Sequence, residues 1–390
     1  MGELMLAKRL QNLHPYIPGE QPKDREYIKL NANENPYPPH KSVSLKAQDA
    51  VLNASQKMGL YPDPDANQVR EAIASMLNKT GGAFWSAECS GSEPESSCTP
   101  SEQNKIPFEV TSDMIFCGNG SDEVLSFVFY TFFDSDRPLI MPQFTYSFYP
   151  VYCGYYNIPM KQIALKDDWT LDVETMLSEA NKTDSSIIFA NPNAPTGIAL
   201  TRDAVRQMLK RAPKDRVFIV DEAYCDFGGE SCIPLLAEFN NLVIVRTFSK
   251  SLSLAGMRLG YIVSSPELVK AVFQVKNSFN HFPVDFIAQT VAKATCLATP
   301  YYVQNAKKIA KERDSFTAFL RKHGWFVIDS ATNFVFAKKE GLAGKDVYES
   351  VKKQGILIRH FATPGIEDFV RITIGTPEQM EQLKKIMEVL

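Results

Sequence analysis

The sequence predicts an α/β protein: a mostly parallel sheet with helices on both faces, followed by a smaller α+β C-terminal unit. Three observations predict it. Nearly continuous apolar runs alternate with amphipathic helical stretches from Met114 to Val263, and strand–helix–strand alternation builds parallel sheets buried on both faces. After Ala288 the order changes to long helices followed by short strands. The 390 residues also exceed what a single hydrophobic core fills, so the chain divides. The expected division is an N-terminal arm at 1–30, a large domain at 31–280 and a small C-terminal domain at 281–390.

The elements follow in order. Pro15, Pro18, Gly19 and Pro22 make the arm extended rather than helical. Gly81–Asn104, rich in Ser, Glu, Gly and Pro, reads as a mobile surface insertion between a helix ending near Lys79 and a strand near Met114. Its Cys89 and Cys98 read as solvated loop thiols in preference to a redox or metal element. Strands are expected at Met114–Cys117, Pro138–Met141, Ser186–Ala190, Val217–Val220, Asn241–Thr247 and Gly260–Val263, with helices such as Ser121–Phe133 and Thr201–Arg211 between them. The C-terminal unit reads as helices Ala288–Leu297 and Tyr301–His323. Strands Trp325–Asp329, Phe334–Ala337, Ile356–Arg359 and Phe369–Ile374 follow, then a closing helix Gln379–Leu390.

Composition narrows the function. With 42 basic against 45 acidic residues, the net charge of -3 gives no reason to expect nucleic acid or an anionic membrane as partner. No apolar run approaches the roughly 20 residues that span a bilayer. Met1–Lys29 carries scattered charges and no apolar h-region, so no secretory signal is expected. Seven cysteines without a CxxC pair favour reduced thiols in a cytoplasm. Five histidines without HxxH or HExxH spacing argue against a metal site.

Four segments carry chemistry. In Cys117-Gly118-Asn119-Gly120-Ser121-Asp122-Glu123, a strand enters a glycine turn and a helix leaves, placing free N–H groups at Ser121 and Asp122. Such helix starts bind phosphate, although the turn alone needs no ligand. Val217–Val220 delivers Asp221, Glu222 and Tyr224 to the strand's C-terminal end, the edge where open α/β sheets bind ligands. Asp221 as a turn cap and Glu222 on a surface cation would read equally well from those residues alone. Val245–Thr247 leads into Ser249-Lys250 and then Arg258. Burial disfavours a charged amine, and a neutral amine is the nucleophile that a Schiff base requires, while arginine's fork suits phosphate. Asn191-Pro192-Asn193-Ala194-Pro195-Thr196-Gly197 sets a rigid loop at the same edge. Together these supply a phosphate cradle, a carboxylate, a tyrosine, a lysine and an arginine, the parts of a pyridoxal-phosphate site.

In order and spacing, these segments resemble the fold-type I aminotransferases, and most closely their histidinol-phosphate branch. Leu30-Asn31-Ala32-Asn33-Glu34-Asn35-Pro36, Tyr61-Pro62-Asp63-Pro64 and the four segments above carry the likeness, with Pro15-Tyr16-Ile17-Pro18-Gly19 pointing to the branch. It covers nearly the whole chain outside 81–104. The resemblance implies pyridoxal 5'-phosphate bound to Lys250, Asp221 on the pyridinium nitrogen and Tyr224 on the phenolic oxygen. It implies Tyr146 stacked on the ring and Ser121, Asp122, Ser249 and Arg258 on the phosphate. Tyr61 would reach the neighbouring subunit's phosphate, making a homodimer with shared sites. Arg371 would bind the substrate's anionic end, with Arg359 and the partner chain's Tyr16 as further phosphate ligands and Asn33 lining the pocket.

One departure stands out. The family's asparagine before Pro-Thr-Gly is Ala194 here, so either Asn193 substitutes as a cofactor ligand or Tyr224 acts alone. The implied reaction is transamination of L-histidinol phosphate with 2-oxoglutarate, giving imidazole-acetol phosphate and glutamate, in cytoplasmic histidine biosynthesis. Rival readings on the same fold are a threonine-phosphate decarboxylase, an aromatic or broad-specificity aminotransferase, and a non-catalytic pyridoxal-phosphate-binding regulator.

Overall fold

The computed structural model describes residues 13–16, 19–54 and 59–390. Residues 1–12 of the expected arm, with Ile17 and Pro18 of its motif, lie outside these.

The main sheet has seven strands: β1 (Ile115–Gly118), β2 (Leu139–Pro142), β3 (Met160–Ile163), β4 (Ile187–Ala190), β5 (Phe218–Asp221), β6 (Leu242–Thr247) and β7 (Gly260–Ser264). Their spatial order is β1-β7-β6-β5-β4-β2-β3. All pairings are parallel except those of β7, which runs antiparallel to both β1 and β6.

Every strand except β3 is buried along its whole length. Alternate residues feed two cores. Phe218 and Val220 of β5, with Leu242 and Ile244 of β6, pack into one face. Ile219, Val243 and Val245 pack into the other. The two-residue period of a strand requires both faces to be covered before such runs are buried. β3 is one of the two edge strands, and its exposed Lys161 discourages further pairing.

A second, antiparallel sheet has the order β8 (Trp325–Ile328), β9 (Phe334–Lys339), β11 (Val370–Thr373) and β10 (Arg359–His360). The expected strand Ile356–Arg359 is split. Ile356–Leu357 pairs in parallel with Ile28–Lys29, and only Arg359–His360 joins this sheet. The arm thus ends as a strand held to the C-terminal region.

The reading of 81–104 as a solvated loop is corrected. Ala87–Cys89 and Cys98–Pro100 form an antiparallel hairpin, and Cys89 is disulfide-bonded to Cys98. Ala83, Phe84 and Ala87 are buried in the main core. The polar composition belongs to the hairpin tip, whereas the apolar residues at its base anchor it. The other five cysteines are buried and unpaired.

On the face of Phe218, Val220, Leu242 and Ile244, at the strand ends, lies a buried ion cluster. Arg246 of β6 donates to Glu222 Oε2 at 2.9 Å and to Asp226 Oδ1 at 2.8 Å. Ser231 Oγ also donates to Glu222, and Ser251 Oγ and the Phe84 N–H donate to Asp226. Glu222 therefore pairs with a core arginine, not a surface cation. Removing one member of such a cluster strands the others without compensation. Arg246→Met should cost about 3–5 kcal/mol, read as a lower urea midpoint at unchanged slope. A loss below about 1 kcal/mol would mean that water or rearrangement already compensates the two acids.

Candidate active site

β1, β4, β5 and β6 end at one edge of the main sheet. Because β7 runs the other way, its first residue meets the same edge, with Gly260 opposite both Gly118 and Thr247. Residues after these strands and after β2, which runs parallel to β4, and before β7 therefore converge there. A cavity of about 350 Å³ opens between them, lined by Ser121, Asp122, Tyr146, Ala194, Asp221, Tyr224, Ser249, Lys250 and Arg258.

Two glycines make the close approach possible. Gly120, at φ 80°, begins the helix Gly120–Phe132, and a Cβ there would sit 2.6 Å from Arg258 Nη2. A Cβ on Gly260 would collide with the Ser121 backbone nitrogen. Arg258, itself at φ 51°, donates to Asp122 Oδ2 at 3.0 Å. The Tyr146 hydroxyl donates to the other oxygen at 2.8 Å. The first-turn N–H groups of this helix have no intrahelical acceptor, and the helix dipole makes this end favourable for an anion.

Asp221 is only 4% exposed. Its Oδ2 accepts from the Tyr149 hydroxyl at 2.8 Å and its Oδ1 from the Ala223 N–H at 3.1 Å. Burial pushes the carboxyl up to about 6, against the opposing hydrogen bonds from Tyr149 and Ala223. Burial and the neighbouring acids hold the Tyr146 and Tyr149 phenols far above their usual range, so both act as neutral donors.

Lys250 Nζ donates to the Ala32 carbonyl at 3.1 Å and lies 5.7 Å from the centre of the Tyr224 ring. Asn35 holds the carbonyls of Lys250 and Ser251. Lys250 also lines a second cavity of about 340 Å³, together with Tyr16, Asn33, Tyr146, Tyr224, Arg359 and Arg371. Arg359 and Arg371 face each other across the β10–β11 pair. Like charges at such positions repel unless an anion bridges them. Arg371 Nη2 reaches the Asn31 carbonyl at 3.3 Å, while its buried Nε has no partner. Burial, with Arg359 acting in the same direction, lowers its pKa below the ordinary arginine value. Among the described residues no carboxylate pairs with it, so Arg371 is not half of a structural ion pair.

The structure thus gathers Ser121, Asp122, Tyr146, Asp221, Tyr224, Ser249, Lys250 and Arg258 at the inner cavity and Tyr16, Asn33, Arg359 and Arg371 at the outer one. Tyr16, expected from the partner chain, lines its own chain's outer cavity here, its ring tilted against that of Phe148 at 5.1 Å between centres. Asn193 lines neither cavity. Its amide donates to the Phe144 carbonyl and Thr196 Oγ1, so it does not replace the asparagine absent at Ala194. Tyr61 lies outside this chain's cavities, 81% exposed and stacked on Phe282. The sequence reading missed Tyr149 on Asp221, Asn35 beneath Lys250, and Asn33 as the donor to Tyr224. Only the first left a signal: its three-residue spacing from Tyr146 puts both rings on one side of a helical turn.

Residues 25–386 match the family Aminotransferase class I and II, and the chain belongs to that family. Its relatives are more particular. It is similar to the histidinol-phosphate aminotransferase of Syntrophus aciditrophicus, 45% identical over 392 residues, covering 99% of each chain. It is also 41% identical to histidinol-phosphate aminotransferase 1 of Bradyrhizobium diazoefficiens, covering 98% of this chain and 97% of that one. Among solved structures, the histidinol-phosphate aminotransferase of Sinorhizobium meliloti in complex with pyridoxal-5'-phosphate superposes with a TM-score of 0.81. That match covers 100% of this chain and 97% of that one; at 21% identity it carries the fold, that of the fold-type I aminotransferases.

The buried carboxylate sets a pH dependence. The folded pKa of Asp221 lies above its unfolded value, so the group's stabilising contribution is present below about pH 4 and is lost as pH rises through about 6. In the protein without added ligands, Asp221→Asn should flatten the melting-temperature profile between those limits. A variant profile parallel to the wild type there would assign the slope to another group.

Proposed function

We propose that the protein is a pyridoxal-phosphate-dependent aminotransferase that interconverts L-histidinol phosphate and 2-oxoglutarate with imidazole-acetol phosphate and glutamate, in histidine biosynthesis. One observation carries the reading: Lys250 lines both cavities, between a carboxylate-and-helix-start site and a paired-arginine site.

The inner residues fit the cofactor. The volume suits a substituted pyridine, and Gly120 and Gly260 let Arg258 and β7 pack closely against the helix start. The hydrogen-bond donors to Asp221 among the described residues, Tyr149 and the Ala223 N–H, are both neutral. A pyridinium N–H would supply the positive charge that a buried carboxylate needs. Bound pyridoxal phosphate supplies an aldehyde that captures the donor's amine and a cationic ring that withdraws electrons from it.

The chain's own groups then divide the work. Ser121 and Asp122, through backbone N–H, and Ser249 and Arg258, through side chains, would hold the phosphate. Asp221⁻ would keep the ring nitrogen protonated. Tyr224 would offer its phenolic proton to the cofactor's ring oxygen, and Tyr146 an aromatic wall. Lys250 would hold the cofactor through Nζ and, with that amine free, would accept the donor's α-proton. Arg371 and Arg359 bind the carboxylate of one substrate and the phosphate of the other, an exchange that arginine's fork permits. Tyr16 and Asn33 complete that pocket.

The active species in this reading is a homodimer in which Tyr61 reaches the neighbouring phosphate. Leu52, Leu60, Tyr61 and Phe279 are large apolar side chains left exposed, and such side chains mark association surfaces when they cluster. A cytoplasmic setting belongs to the same reading. It is supported by the five unpaired buried cysteines and opposed by the Cys89–Cys98 pair. No described helix is long and apolar enough to cross a membrane.

Loaded protein should show a visible absorption band and convert histidinol phosphate to the oxo product beyond one equivalent per site only while 2-oxoglutarate is present. Lys250→Ala should abolish the borohydride-reducible band and cut turnover by about 10²–10⁴-fold or more. Release of carbon dioxide from threonine phosphate would replace this reading with a decarboxylase, and a band that survives in the variant would move the cofactor to another lysine. Mixed dimers of Tyr61→Phe and Arg258→Ala subunits should form some sites carrying neither change. Activity no higher than the mean of the parents would sink the shared site.

A further inference from the structure

Position 194 is an alanine, and its side chain lines both cavities without a polar atom to offer. Asn193 beside it is turned away, donating to the Phe144 carbonyl. The polar contact that Tyr224 makes comes instead from the other end of the chain: Asn33 Nδ2 donates to the Tyr224 hydroxyl at 2.8 Å.

Several contacts hold Asn33 in place. It is 1% exposed and lies in the left-handed region at φ 55°. Its backbone N–H donates to Thr373 Oγ1 at 2.9 Å, and its carbonyl accepts from Asn333 at 3.0 Å. Thr373 Oγ1 in turn donates to Asn33 Oδ1 at 3.0 Å. A hydroxyl has one proton, and Thr373 uses it on Oδ1, having accepted from the N–H. That pairing fixes which end of the amide faces Tyr224: the NH₂ end, which can only donate.

A tyrosine oxygen that accepts from an amide keeps its own proton for another acceptor. Tyr224 lines the inner cavity beside Lys250, so an acceptor in that cavity, as the cofactor's ring oxygen would be, can take that proton. We infer that Asn33 is the positioning residue for Tyr224, orienting its phenolic proton into the inner cavity and so doing, from the N-terminal segment, what a polar residue at 194 would do from the proline loop. The inference rests on the cofactor reading given above. It also joins the two cavities, because Thr373 and Arg371 lie two residues apart on β11.

The loaded enzyme tests it through its spectrum. A donor to the ring oxygen favours the proton-poor chromophore, so losing that donor raises the pH at which the visible band changes. Asn33→Asp replaces the donating NH₂ with an acceptor that draws the Tyr224 proton back from the cavity. Its midpoint should rise by about one unit, comparable with Tyr224→Phe. Asn33→Gly removes the side chain while tolerating the positive φ, and its midpoint should rise by less. Should Tyr224→Phe shift the midpoint while both Asn33 variants match the wild type, Asn33 has no such role. Should Tyr224→Phe itself match the wild type, the assignment of Tyr224 to the ring oxygen fails first.

Discussion

The central strands depend on one guanidinium. Arg246 sits inside the molecule at the end of β6 and satisfies two carboxylates, Glu222 at the end of β5 and Asp226 beyond it. Through Asp226 it reaches Ser251, the residue after Lys250, and the backbone of Phe84 at the base of the hairpin. Neither acid would tolerate burial alone. The strand ends that present Asp221 and Lys250 are therefore spaced by an ionic lock that is one turn removed from the chemistry. Asp221 and Glu222, adjacent in sequence, lie on opposite sides of their strand. One is kept for the cavity and the other is spent on the frame.

The cavities separate charge in the same economical way. The inner one sets a carboxyl raised by burial against a helix start and Arg258. The outer one sets two cross-strand arginines against aromatic walls, with Arg371 over the faces of Phe334 and Phe361. Aromatic faces offset part of the cost of burying a cation. Lys250 and Tyr224 stand where the two fields meet.

Much of this was legible in the chain before folding. The six main strands read from the sequence lie within a residue of their positions, because two-sided burial writes a continuous apolar run. β3 was invisible for the opposite reason: as an edge strand it reads Met-Lys-Gln-Ile and exposes three of its four residues. The site residues at strand ends could be read because glycine turns and strand termini are local signals. Asn33 and Tyr224 are 191 positions apart, and nothing in either neighbourhood announces their bond. Asn193 misled because its type was right and its neighbour's backbone was unknown: the Phe144 carbonyl claims its amide. The hairpin was misread because serines and glutamates at its tip outnumber the few apolar residues at its base.

That hairpin alters how the chain behaves when it is cut. Cys89 and Cys98 close a ring in which the residues between them form the solvent-facing tip and none is buried. A break in the backbone between them leaves the two pieces tethered, the shorter one still held by its helix Asn67–Thr80. Such a nicked molecule migrates as one species until a reductant separates it. The tip is accordingly a place where a tag or a new loop can be grafted without opening the sheet below.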